Sequence, residues 1–246
     1  MTSSHFHTPT EIHAAAMAVG NALAQYETYS TLLLVVVYVV VLGSTRATQD
    51  IDFVVPWGET SNARQLLRAS PGFEIEARTN NTTYKARRPV QVEILTPPLL
   101  FKEPFDENTE VISIEGVKVL KPALLLNAKC GSITGRSTED KRRTDSLDIN
   151  FLLNFCAHNP EYLPKSDEVP RATTQLVHVL IQFYGGGEAW AVLGEVELFL
   201  RLMISDRCIR SVSTGYDVPF YWLAWSMYYA VSRACALLLM SSFALS

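Results

Sequence analysis

The chain has 246 residues, of which 48% are hydrophobic and 19% charged, with a formal net charge of −4. That is enough apolar material for one sizeable core or two small domains, and the acidic balance removes any bulk electrostatic case for nucleic-acid binding. Four cysteines (Cys130, Cys156, Cys208, Cys235) with no C-x-x-C spacing argue against a zinc framework or a disulfide scaffold.

Reduced thiols are therefore expected. No basic segment followed by an apolar run starts the chain in the manner of a secretory leader, and a cytoplasmic location is expected. Thr8-Pro9-Thr10-Glu11 combines a capping box with proline at the first helical position and predicts a helix over 8–26. His5, His7 and His13 beside it read as a tail entering that helix rather than a metal site. The apolar run 31–42 is too short to span a bilayer, where ~20 residues are needed. Its β-branched content predicts a continuous strand.

The decapeptide from Gly43 to Asp52, Gly-Ser-Thr-Arg-Ala-Thr-Gln-Asp-Ile-Asp, carries the most chemical information. Asp50 and Asp52 stand at the start of an apolar stretch, and in a strand side chains at i and i+2 leave on one face. Two adjacent carboxylates repel each other unless a cation lies between them, and magnesium is the usual hard-oxygen partner. The Gly43-Ser44 turn and Arg46 supply backbone N–H groups and a fixed positive charge, which suit an anionic ligand. A bare Asp-x-Asp is more often a solvated turn than a metal site, so a third acid matters. Glu93 sits in the alternating segment Val90-Gln91-Val92-Glu93-Ile94-Leu95. A neighbouring strand that sets Glu93 beside Asp50 and Asp52 would complete a three-carboxylate cradle.

Thr60–Ala69 follows as a helix ended by Pro71-Gly72. Residues 73–78 and 82–87 alternate around Asn80-Asn81 as a hairpin, 90–96 form the Glu93 strand, and Val111–Ile114 with Val117–Leu120 flank Glu115-Gly116 as a second hairpin. Helices mixed with hairpins argue for an α/β fold with a mixed sheet. From Pro122 the pattern turns helical, first over 123–130 and then over 137–156. In the latter, Ser137 and Asp140 are candidate cap partners. Leu147, Phe151 and Phe155 share an apolar face, and Lys141, Asp145 and Asp148 a polar one. Lys141-Arg142-Arg143, with Arg136 nearby, is a basic concentration that reads as a solvated helix face. A polar linker over 160–170 leads to helices over 171–184 and 188–204. The triple glycine between them lacks the Lys-Ser/Thr of a phosphate loop and reads as an inter-helix turn. Residues 219–246 are rich in Trp, Tyr, Leu and Ala, with Arg233 as their sole charge. They are long enough for a tail anchor, although a mid-span arginine costs about 2.5–3.5 kcal/mol on insertion scales. A packed helix or an apolar tail are the alternatives. The expected division is an α/β core over 1–120, a helical region over 121–218 and an apolar tail over 219–246.

The Gly43 to Asp52 decapeptide followed by Glu93 in a later apolar strand resembles the nucleotidyltransferase fold of the polymerase-beta type, and within it the minimal nucleotidyltransferases and abortive-infection nucleotidyltransferase toxins. The resemblance spans residues 31–155 or thereabouts. It implies a mixed-sheet core followed by helices. Arg46, Thr48, Asp50, Asp52 and Glu93 fall on the matching positions of a Gly-x-x-Arg-x-Thr-x-Asp-hydrophobic-Asp segment and a later acid. By that resemblance Asp50, Asp52 and Glu93 hold magnesium, which binds a nucleoside triphosphate and activates an acceptor hydroxyl on RNA, protein or a small molecule. Gly43, Ser44, Arg46 and Thr48 become substrate contacts. Lys129 and Lys141, with Asp148, become the residues that close over the nucleotide, where ordinary surface ion pairing is the plainer account. The chain departs from the family at Val35 and Val36, where a phosphate-binding Gly-Gly is expected. Two other functions stay open: a catalytically degenerate member serving as a binding or interaction module, and a membrane protein anchored by its tail.

Overall fold

A computed structural model describes residues 7–24, 35–36, 40–45, 48–106, 108–165 and 167–193. Arg46, the 194–204 part of the last expected helix and the whole 219–246 tail lie outside the described residues. Helix α1 (Pro9–Ala24) is started by the capping box read from the sequence: the Thr8 N–H donates to Glu11 Oε2 at 2.8 Å, and the Glu11 N–H to Thr8 Oγ1 at 3.3 Å. Strands β1 (Val35–Val36) and β2 (Asp50–Val54) follow, then α2 (Thr60–Ala69), β3 (Phe73–Ile75), β4 (Thr82–Tyr84), β5 (Val90–Leu95), β6 (Val111–Ile114) and β7 (Val117–Leu120). Four helices complete the described chain, apart from a 3-10 turn at Pro160–Tyr162: α3 (Pro122–Thr134), α4 (Glu139–His158), α5 (Thr174–Tyr184) and α6 (Gly187–Leu193).

The described strands form one mixed sheet in the order β3-β4-β5-β2-β1-β7-β6. β2 pairs in parallel with β5 and antiparallel with β1, while β1 pairs in parallel with β7. The outer strands are the two expected hairpins, β3 with β4 and β6 with β7. The second turns tightly because Glu115 (φ 48°) and Gly116 (φ 83°) both take the left-handed conformation that a two-residue hairpin loop needs. The parallel β2–β5 pair positions the acids, and the crossover that makes it parallel runs through α2 and the first hairpin.

Alternation along β2 and β5 gives the sheet two unlike faces. Phe53, Val92 and Ile94 turn to one side and pack with Val19, Ala22 and Leu23 of α1 and Ala63, Leu66 and Leu67 of α2 in a single apolar cluster. Asp50, Asp52, Gln91 and Glu93 turn to the other.

Three local expectations are corrected. The apolar run does not stay extended to Leu42: residues 40–43 make a turn in which the Gly43 N–H donates to the Val40 carbonyl at 3.0 Å. Val40, Val41 and Leu42 are buried there, and Gly43 ends the turn at φ 100°, which β-branched residues avoid. On α4 the faces are exchanged. Leu147 is 55% exposed, whereas Asp145, Asp148, Ile149, Leu152, Leu153 and Cys156 form the buried stripe. The two acids tolerate burial because cations reach them from elsewhere in the fold. Finally, α4 begins at Glu139 with Thr138 at its cap, and neither Ser137 nor Asp140 caps it. Gly185 and Gly186 form the inter-helix turn between α5 and α6, as expected. No described helix is long and apolar enough to cross a membrane.

Candidate metal centre

The β2–β5 register sets Asp52 directly beside Glu93 and Asp50 beside Gln91. One carboxylate oxygen from each of Asp50, Asp52 and Glu93 lies within 4.8 Å of the other two, with the two aspartates half-buried and Glu93 exposed. Three hard oxygen donors this close fit a divalent cation of the magnesium or manganese kind, and no soft ligand is among them. The acids predicted from the sequence therefore come together as a cluster, through a pairing between strands that are almost forty residues apart.

Asp50 is steered by its neighbour. The buried Thr48 donates from Oγ1 to Asp50 Oδ1 at 3.0 Å, which fixes the direction in which the carboxylate points. Thr48 is itself tied down, since its carbonyl accepts the His7 N–H at 2.9 Å in an isolated antiparallel bridge. The segment entering α1 thus anchors the residue that aims Asp50. Ser44 is buried next to the 40–43 turn. The Gly43 N–H is already engaged with Val40 inside that turn.

The two lysines named from the sequence occupy different settings. Lys141 is exposed in the first turn of α4. Lys129 of α3 faces the buried stripe of α4, with Nζ 2.7 Å from Asp148 Oδ2 and 3.5 Å from Asp145 Oδ1. A residue that sequence reasoning placed only in a basic surface patch completes this network. Arg136, in the turn between α3 and α4, donates from Nε to Asp145 Oδ2 at 2.6 Å and from Nη2 to Asp145 Oδ1 at 3.2 Å. Its guanidinium is held charged first by Asp145, against the opposing effect of burial, and further by the fields of Asp52 and Asp148. No motif spacing marks Arg136; only the fold brings it onto Asp145.

No protein-family model matches the chain, and no curated protein matches its sequence. Solved structures do. An antigenic nucleotidyltransferase-like protein from Paracoccidioides brasiliensis is similar at a TM-score of 0.56 and 20% identity, over 77% of this chain and 95% of that one. A proposed nucleotidyltransferase from H. pylori aligns at a TM-score of 0.47 and 18% identity over 75% of this chain and 95% of its own. JHP933 from Helicobacter pylori aligns at 0.46 and 17% over 83% and 97%. With its mixed sheet, the described helices that follow it and the first of these likenesses, the chain has the fold of the nucleotidyltransferase-like proteins.

Proposed function

We propose that the protein is a magnesium-dependent nucleotidyltransferase that moves a nucleotidyl group from a nucleoside triphosphate to an acceptor hydroxyl. The observation that carries this reading is the β2–β5 register, which gathers Asp50, Asp52 and Glu93 on one open face of the sheet. These three residues would hold magnesium, which when bound supplies positive charge to phosphate oxygens and lowers the pKa of a coordinated hydroxyl. In the transfer the acceptor oxygen bonds to the α-phosphorus, the bond to the bridging oxygen breaks, the hydroxyl proton passes to solvent and pyrophosphate leaves. Thr48 keeps Asp50 aimed at the site through its hydroxyl. Gly43 contributes the bend that leads into Ser44. Lys129 acts through the carboxylates it pairs with, and the exposed Lys141 is available to a substrate.

A second reading rests on Val35 and Val36. They stand in β1, paired with Val54 and Phe53, at the positions where the resemblance calls for a glycine phosphate loop. On that account the chain binds a nucleotide without transferring it.

Incubation with magnesium and α-labelled nucleoside triphosphates, beside an Asp50→Ala/Asp52→Ala variant, tests both. The enzyme reading predicts magnesium-dependent labelling that falls at least ~100-fold in the variant. Equal label in the two samples overturns it. Nucleotide binding without transfer selects the second reading, and no binding by the intact protein removes both.

A further inference from the structure

A nucleoside triphosphate whose phosphates are held at the acid cluster must lay its sugar on protein surface continuous with that cluster. Strand register identifies that surface. Asp50 pairs with Gln91 of β5, Gln91 with Thr83 of β4, and Thr83 with Glu74 of β3. Paired residues leave a sheet on the same side, and neighbouring strands lie roughly 4.8 Å apart. Gln91, Thr83 and Glu74 therefore continue the Asp50 row across the cluster's face to the edge strand. Exposure rises along the row: Gln91 and Thr83 are half-buried, and Glu74 is exposed. Toward the end of β2 the same face closes, since Val54, next after Asp52 on that side, is fully buried.

The chemistry of this row suits hydroxyls better than phosphates. Gln91 supplies the only N–H donors among its three side chains, and Glu74 puts a negative charge at the far end. An amide and a hydroxyl can each donate and accept at once, as a sugar hydroxyl also does. Among the described residues, neither the Gln91 amide nor the Thr83 hydroxyl makes a hydrogen bond. Thr48, by contrast, spends its hydroxyl on Asp50. Two uncharged polar groups beside the cluster thus keep their full capacity for a ligand.

We propose that Gln91, with Thr83 beside it, binds the sugar hydroxyls of the nucleoside triphosphate. The proposal rests on the nucleotidyltransferase reading and assigns the part of the substrate that metal on the acids does not reach. A hydroxyl-bearing acceptor shares this chemistry, and the test separates the two.

The full chain is titrated with ATP, 2′,3′-dideoxy-ATP and tripolyphosphate, each with magnesium, and separately with manganese alone. The parent is expected to bind ATP at least ~5-fold more tightly than the dideoxy analogue, the worth of a hydrogen bond or two. Gln91→Leu should weaken ATP at least ~5-fold and so lose that preference, while the dideoxy analogue, tripolyphosphate and manganese keep their affinities within ~2-fold. Thr83→Val, which preserves side-chain shape, should erode the same preference and spare the other three. It carries the test alone if Gln91→Leu fails to fold. A parallel loss of manganese and all three phosphate ligands would mean that these residues only support the acid cluster, and that result overturns the proposal. So does ATP affinity that is unchanged in the variants, or no preference for ATP over its dideoxy analogue in the parent. Either result would leave the row to the acceptor and the nucleotidyltransferase reading standing. If the intact protein binds neither ATP nor tripolyphosphate, the functional reading falls and the proposal with it.

Discussion

Lys129 shows how far a single residue can be read from sequence. It was expected to close over a nucleotide or to pair on a helix surface, yet its ammonium serves two carboxylates that the fold has buried. The spacing along α4 marked Leu147, Phe151 and Phe155 as an apolar face and Lys141, Asp145 and Asp148 as a polar one. Apolar content alone favoured the first. What reversed the choice is a cation on another helix, which no periodicity within α4 contains. The consequence for stability is large, because a buried carboxylate that loses its partner keeps its desolvation penalty. Lys129→Met should lower the unfolding free energy by about 3 kcal/mol, read from urea melts, with most of the loss relieved in Lys129→Met/Asp148→Asn. A Lys129 variant of parental stability would show that the pair contributes little, and only then would lost activity point to contact with substrate.

At the scale of elements, α1 was legible because its start is written locally in Thr8, Pro9 and Glu11. The structure adds a partner 77 positions away that local reading could not supply: Arg88 forks onto Glu11, with Nε to Oε1 at 2.9 Å and its Nη2 on Oε2. Arg88 stands just before β5, so the fork ties the start of α1 to the strand that carries Glu93. The Arg88 guanidinium, seconded by the Thr8 N–H, draws the Glu11 carboxyl from its ordinary 4.5 down to about 2, against a smaller opposing effect of burial. A carboxyl depressed on folding contributes stability that is complete above its unfolded value and is lost as pH falls through its folded value. The difference in unfolding free energy between the parent and Glu11→Gln should therefore be constant from pH 7 to about 5 and shrink between pH 4.5 and 2. A difference that stays flat across that window would mean the fork does not form in solution. The same end of α1 carries the His7 bridge to Thr48, so loosening it also slackens the hold on Asp50.

For the molecule as a whole, alternation in β2 and β5 announced which residues share a face, and the mixture of helices with hairpins announced the mixed sheet. Neither could announce that β2 would lie between β5 and β1, since strand order is settled by long-range packing on α1 and α2. That order places Asp52 against Glu93, a like-charge neighbour whose repulsion a bound cation would relieve. On the proposed function, the fold trades stability at this pair for a metal site. Asp52→Asn should leave the metal-free protein as stable as the parent or more so, by about 0.5 kcal/mol. The parent should gain about 2.7 kcal/mol from a divalent cation at a hundred times its dissociation constant, and the variant a small fraction of that. Thermal melts with and without manganese give both numbers. A variant that is destabilised without metal, or that keeps the full gain from it, would show that Asp52 serves the sheet rather than the ion. The opposite pair of signs ties the acid cluster to a function that the apolar face of the same strands does not need.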